Sequence, residues 1–352
     1  MLLENRINAF HKLGGFLSQF TRKNIVLKEN ILGNELFFDA FKMQIKRAKE
    51  SNSWFTDDNV LFALESWSVI LTKSNLEKWL SAYNLDKIEN KTIAVIMAGN
   101  IPLVGFHDFL SVLISGNNIL VKQSSNDKYF LRLIAKYLEH IAPDFKGKID
   151  FAETKLENFD AVIATGSDNT ARYFDYYFGK HPHIIRRNRN AVAVITGKET
   201  KEDLENLGDD IFRYFGLGCR SVSKMFVPKD YNFDLFFNAM FKFNDIINYP
   251  KYDNNYTYNK AVYLMSLFKL LENGFLMLKE DSSYSSPIAT LFYEVYDDLD
   301  NLKTKLKSEK DKIQVIVSNE NIENSVKFGV TQKPQLSDYA DGVDTLEFLV
   351  NL

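Results

Sequence analysis

The chain has 352 residues and a formal net charge of −3, which argues against a dedicated nucleic-acid binder, since that would carry a basic excess. A hydrophobic fraction of 45 % with 25 % charged residues is globular in character, and the length allows two domains and a sizeable core. One cysteine, Cys219, excludes an internal disulfide framework and fits a reducing compartment; with neither a leader pattern nor ~20 consecutive apolar residues, a cytoplasmic protein without a membrane span is expected.

Residues 1 to about 88 read as helices, with Leu61, Leu64 and Trp67 at near-helical spacing. Ser74 and Glu77 form a capping-box pattern before Trp79. From Lys91 strands and helices alternate. An apolar run over 92–98 predicts a buried strand, and Pro102 to Gly116 a helix that stops on its glycine. A strand over 118–122, a helix over 126–141, strands near 149–152 and 161–164, and a helix over 169–179 complete a first parallel-sheet unit. A second unit begins with a strand at 191–196 and a helix at 200–215, then Cys219 and a strand at 222–227. Helices near 232–248 and 256–272 and strands near 275–279, 288–295 and 313–317 follow. The organisation expected is a helical segment 1–88, α/β domains over 89–190 and 191–327, and a tail over 328–352 that returns to the body or to a second subunit.

Chemistry concentrates in five segments. Gly216-Leu217-Gly218-Cys219 sets a thiol just after two glycines at a helix-to-strand junction, where amide N–H groups would stabilise a thiolate or an oxyanion. A solitary cysteine is otherwise usually a small buried hydrophobe. Gly99-Asn100-Ile101-Pro102 offers a side-chain amide donor at a strand end. Lys122 closes a strand where doubly wound sheets bind ligands, with Ser125 three positions on. Thr165-Gly166-Ser167 leads into a helix N-terminus, a site for anions. Ser286-Pro287-Ile288 precedes a strand. No metal-ligand spacing stands out.

In this order the segments resemble the aldehyde dehydrogenase superfamily, and most closely its LuxC-like acyl-CoA reductases. The phrases that carry the likeness are Met97-Ala98-Gly99-Asn100-Ile101-Pro102-Leu103-Val104-Gly105, Phe215-Gly216-Leu217-Gly218-Cys219-Arg220-Ser221-Val222-Ser223-Lys224 and Asp338-Tyr339-Ala340-Asp341-Gly342-Val343-Asp344. The resemblance implies an aldehyde-dehydrogenase-like α/β fold with two parallel-sheet domains and a helical N-terminal segment. It implies Cys219 as nucleophile, Asn100 as oxyanion donor, and Lys122, Ser125, Thr165, Gly166, Ser167 and Pro287 around a nicotinamide cofactor. The implied reaction reduces a fatty acyl-CoA or other acyl thioester to the aldehyde through an acyl-cysteine. An acyl-protein synthetase or acyl carrier is an implied partner, and a homo-oligomer the implied assembly.

Two departures refine this expectation. The oxidising members of the superfamily carry a glutamate base, but the corresponding stretch Ile184 to Asn190 holds no carboxylate, so water attack on an acyl-cysteine should be slow. The glutamate that often follows the cofactor lysine is Ser125 here, which tolerates a ribose 2′-phosphate and favours NADP(H). His107, His181 and His183 are candidate bases by residue type only. An acyl-phosphate reductase of the glutamyl-phosphate-reductase type, a cysteine acyltransferase or thioesterase, and a non-catalytic acyl carrier remain alternatives.

Overall fold

A computed structural model describes residues 1–85 and 89–352; the expected boundary at residue 88 lies outside the described residues. The chain forms two compact units, one comprising 1–187 with 335–352 and the other 188–334.

The first unit opens with helices α1 (Leu3–Leu17), α2 (Asn34–Ser51), α3 (Asp57–Ile70) and α4 (Lys73–Leu80). Phe10, Leu13, Phe16 and Leu17 share the buried face of α1, the spacing that an amphipathic helix requires. The cap of α4 is Thr72, whose hydroxyl accepts from the Asn75 N–H, two residues earlier than the Ser74–Glu77 pattern implies. A parallel five-stranded sheet follows, ordered β3-β2-β1-β4-β5. Its strands are β1 (Thr92–Ile96), β2 (Asn118–Lys122), β3 (Ile149–Phe151), β4 (Ala161–Thr165) and β5 (His183–Arg186). The crossover helices are α5 (Phe106–Ser115), α6 (Phe130–Ile141) and α7 (Asp168–Phe178).

Alternation along β1 divides the two faces. Ile93 and Val95 join the large core under α1, α5 and α6, whereas Ala94 faces Val162, Ala164 and the Phe174–Phe178 side of α7. The helix after β1 starts at Phe106 rather than Pro102, because Leu103 adopts φ 58° in an intervening turn. Its end is as expected, with Gly116 capping at φ 103°. Residues 335–352 return to this unit through α12 (Thr345–Val350), whose Leu346 and Leu349 are buried. Trp79 Nε1 donates to the Tyr339 hydroxyl at 2.8 Å, and the Tyr83 hydroxyl to Asp344 Oδ2 at 2.6 Å.

The second unit contains β6 (Asn190–Val194), α8 (Lys201–Phe212), β7 (Val222–Pro228), α9 (Phe233–Met240), α10 (Pro250–Met265), β8 (Leu270–Glu272), β9 (Met277–Glu280), β10 (Thr290–Tyr296), α11 (Leu299–Ser308), β11 (Ile313–Val317) and β12 (Ser325–Val326). Its strands run in the order β12-β11-β6-β7-β10-β9-β8. All neighbours pair in parallel except β8 with β9. This sheet is therefore parallel as expected from the sequence, except at its β8 edge, which makes it mixed. Leu270–Glu272, read as the end of a helix, is the antiparallel edge strand; α10 instead begins at Pro250, a residue suited to a first helical turn. One face packs on α8 and α9, and the other on Leu302 and Leu306 of α11.

Candidate active site

In the first unit, the carboxyl edge of the sheet collects the predicted cofactor and oxyanion residues. Register sets Ile96 level with both Lys122 and Ala164, and Thr165 level with Arg186. The loops after β1, β2 and β4 thus emerge side by side. Strand order reverses between β1 and β4, the position where open α/β sheets take ligands. Asn100 and Thr165 to Ser167 lie in the two loops flanking that switch point.

These loops are tied together tightly. A Cβ on Gly99 would lie 2.6 Å from both Cβ and Oγ of Ser124, so the absence of a side chain lets the Asn100 loop rest on the β2 loop. Asp127 Oδ2 accepts from the Leu103 N–H at 2.9 Å, joining the same two loops again. Burial pushes the Asp127 carboxyl up to about 6, opposed by that hydrogen bond. Gln123 links Asp127 O to Arg132, and Arg132 reaches Glu153. Lys122 Nζ donates to Glu153 O at 2.5 Å and Thr154 O at 2.8 Å. Both acceptors are neutral, so the ammonium brings positive charge to the edge.

Ser125 is exposed in the turn that follows. Ser167 caps α7 by accepting from the Thr170 N–H at 3.3 Å, and its hydroxyl also bonds Thr170 Oγ1 at 2.9 Å. Gly166 N–H donates to Arg186 O. A lysine charge, an exposed hydroxyl and a helix N-terminus along one sheet edge suit the phosphates and ribose of a dinucleotide.

In the second unit, α8 ends at Phe212 and a tight turn carries the chain towards β7. Tyr214 and Phe215 both adopt left-handed conformations, φ 56° and 57°, which for aromatic residues costs about 1–3 kcal/mol each. Phe215 stacks on Tyr249 at 4.8 Å between ring centroids, and Tyr214 is buried. Packing therefore holds a reversal to which Gly216, at φ 75°, also contributes. Ser221 N–H then donates to Gly218 O at 2.9 Å, closing a four-residue turn with Cys219 and Arg220 at its centre. Cys219 is exposed.

Pro287 lies in the loop before β10, which pairs in parallel with β7, the strand that follows Cys219. Ser223 Oγ donates to Tyr284 O at 2.7 Å, fastening the Pro287 loop to the start of β7. The first unit thus gathers Asn100, Lys122, Ser125, Thr165, Gly166 and Ser167, and the second gathers Cys219 and Pro287.

The histidines lie elsewhere. His107 is half-buried among Trp67, Trp79 and Tyr339, with its Nε2 at 2.9 Å from Leu336 O, and desolvation lowers its pKa. His183 begins β5, at the opposite edge from the cofactor residues, and His181 is exposed just before it. The segment after β5 offers no carboxylate: Arg186 turns inward to Asp108 and Arg187 pairs with Asp175 at 2.8 Å. Among the described residues no group of three His, Cys, Asp or Glu could hold a metal, and no helix is long and apolar enough to cross a membrane.

Sequence reading missed the buried carboxylates. Asp210 sits within the apolar stripe of α8 beside Leu207 and Ile211, and a charge at such a position was the available signal. Asp127 follows the lysine phrase in a polar turn, where nothing in the residue types announces burial.

Residues 39–236 match the acyl-CoA reductase (LuxC) family. The chain belongs to the LuxC family. Its aligned relatives include the long-chain acyl-protein thioester reductase of Aliivibrio fischeri, 25 % identical over 228 residues, which are 58 % of this chain and 47 % of that protein. The match spans about half the length of that relative. The fold is that of the aldehyde dehydrogenases. Aldehyde dehydrogenase 21 from Physcomitrella patens, solved with its reaction product succinate, aligns at a TM-score of 0.69 and 11 % identity over 100 % of this chain and 84 % of that chain. The NAD+ complex of an aldehyde dehydrogenase from Bacillus cereus aligns at 0.62 and 12 % identity, over 91 % and 73 %. This LuxC member thus joins the family's reductase sequence character to an aldehyde-dehydrogenase scaffold.

Proposed function

We propose that this LuxC protein reduces a long-chain fatty acyl thioester to the aldehyde, with Cys219 as nucleophile and NADPH as reductant. The observation that carries the reading is the exposed Cys219 at the centre of a closed turn, in a chain of the acyl-CoA reductase family. Cys219 attacks the thioester carbonyl, and the thiol of the donor leaves to give an acyl-cysteine. The Asn100 amide donates to the oxyanion, a contribution of about 3 kcal/mol. Lys122, Ser125 and the Thr165–Ser167 turn bind the cofactor, and Pro287 is the cofactor residue of the thiol-bearing unit. NADPH supplies the hydride that takes the acyl group to the aldehyde level. The absence of a carboxylate between Ile184 and Asn190 supports a long-lived acyl-cysteine, because no general base there activates water.

The donor is a fatty acyl-CoA or an acyl group carried on a protein thiol; the acyl-CoA reductase family supports the first, and the Aliivibrio fischeri relative, named for acyl-protein thioesters, supports the second. We further propose a cytoplasmic homo-oligomer that receives its acyl group from an acyl-protein synthetase or carrier. The test is incubation with radiolabelled long-chain acyl-CoA in the absence of nicotinamide. Label should stay covalently attached, be released as aldehyde on addition of NADPH, and be lost in Cys219→Ala. Labelling retained by that variant overturns the assignment of the nucleophile.

A further inference from the structure

We infer that Asp210 is a positioning residue for Cys219, acting through Thr331 and Arg220 to fix the turn on which the thiol sits. The inference rests on the reading of Cys219 as nucleophile. Asp210 projects from α8 and is 1 % exposed. It accepts three hydrogen bonds from the segment after β12: Gly329 N–H to Oδ2 at 2.7 Å, Thr331 N–H to Oδ1 at 3.0 Å, and Thr331 Oγ1 to Oδ1 at 2.8 Å. Thr331 is wholly buried, so its position follows that of the carboxylate.

The segment held in this way grips the thiol turn at two consecutive residues. Thr331 O accepts from Arg220 Nε at 2.6 Å, and Gln332 Nε2 donates to Ser221 Oγ at 3.3 Å. Ser221 in turn closes the turn through its N–H to Gly218 O and bonds Arg213 O, at the end of α8, through its hydroxyl. Asp210 and Arg213 lie one helical turn apart. The circuit therefore runs from α8 through residues 329–332 to residues 220–221 and back to α8, with Cys219 as the exposed member beside it.

The Asp210 carboxylate is costly to bury: burial pushes it up to about 6 in spite of all three hydrogen bonds. An apolar residue at this point of the α8 stripe would escape that cost but leave the Gly329 and Thr331 N–H groups and the Thr331 hydroxyl without their acceptor. What a carboxylate alone supplies is a rigid double acceptor for two backbone N–H groups and a hydroxyl.

The chain's single cysteine makes the test direct. Second-order rates of Cys219 alkylation by iodoacetamide are measured for the wild type, Asp210→Asn, Thr331→Val and Thr331→Ser, beside thermal midpoints and NADPH turnover with a long-chain acyl-CoA. Expected are a threefold or greater change in alkylation rate and a tenfold or greater fall in kcat for Asp210→Asn and Thr331→Val. The KM for NADPH should stay within twofold, and Thr331→Ser, which keeps the hydroxyl donor, should retain wild-type values. Folded Asp210→Asn and Thr331→Val proteins with alkylation and kcat both within twofold of the wild type overturn the inference, as does a changed alkylation rate with unchanged kcat. If both unfold, Arg220→Lys, which keeps the charge but lacks Nε, decides by the same criteria. If the wild type reduces no acyl thioester, the functional reading falls and the alkylation comparison alone decides the positioning role.

Discussion

Arg186, the last residue of β5, forms an ion pair with Asp108 of α5 in which the two side chains are only 5 % and 7 % exposed, and its NH2 reaches Thr345 Oγ1 at 2.9 Å. One guanidinium thus joins the sheet, a crossover helix and the returning C-terminal segment. Removing it leaves a carboxylate buried without its counter-charge. Arg186→Met should therefore cost about 3–5 kcal/mol of stability, read from denaturant midpoints. Arg186→Met with Asp108→Leu should recover much of that loss; a double variant as unstable as the single one would refute the account.

Gly99 sets how closely the Asn100 loop approaches the β2 loop. In Gly99→Ala the new methyl group meets Ser124 at 2.6 Å, and relieving the overlap should cost about 1–3 kcal/mol. The larger effect should fall on kcat, because the displaced loop carries Asn100. Adding Ser124→Gly opens the space and should restore both quantities. Activity assays and melting curves on the three variants check the coupling.

Cofactor choice should respond to Ser125. The residue is exposed three positions after Lys122, and a carboxylate there would repel a ribose 2′-phosphate while bonding a 2′-hydroxyl. Ser125→Glu should shift the ratio of kcat/KM for NADPH over NADH by at least about tenfold towards NADH. A wild type that already uses NADH better than NADPH would contradict the proposed preference.

Asp127 makes stability depend on pH in a direction opposite to that of a salt-bridged carboxylate. Its pKa is raised by burial from 3.8 to about 6, so the folded protein holds a proton that the unfolded chain releases. The stabilisation is complete below pH 3.8 and is lost as pH rises through about 6, with an upper bound of about 3 kcal/mol. Asp127→Asn keeps an acceptor for the Leu103 N–H but cannot ionise. Its stability relative to the wild type should rise between pH 4 and pH 7, as read by urea unfolding across that range. A constant difference would show that Asp127 titrates normally.

Much of the architecture was legible because it depends on local pattern. The short apolar runs at β1, β2, β4, β6 and β7, each separated by an amphipathic helix, leave little choice but parallel sheets. The phrases around Asn100, Lys122, Ser167 and Cys219 fall at strand ends or helix starts, where periodicity breaks, and so they were visible too. What escaped depended on distant partners. Leu103 adopts its left-handed conformation with its N–H bonded to Asp127, and Tyr214 and Phe215 adopt theirs against Tyr249 and the core, none of which a propensity records. The edge strand Leu270–Glu272 did carry a signal, since Asn273-Gly274 is a strong hairpin dipeptide. The helical reading of 256–272 overran it.

The first unit is discontinuous in the chain, broken at Arg187 and resumed at Gln335. During synthesis, residues 188–334 leave the ribosome before the strand of residues that buries Leu346 and Leu349 and supplies Thr345 to Arg186. The thiol-bearing unit can therefore mature co-translationally while its companion waits for residues 335–352. A stop just before codon 335 would yield a polypeptide with an intact Cys219 turn but an unsealed first unit, a natural substrate for chaperones and proteases.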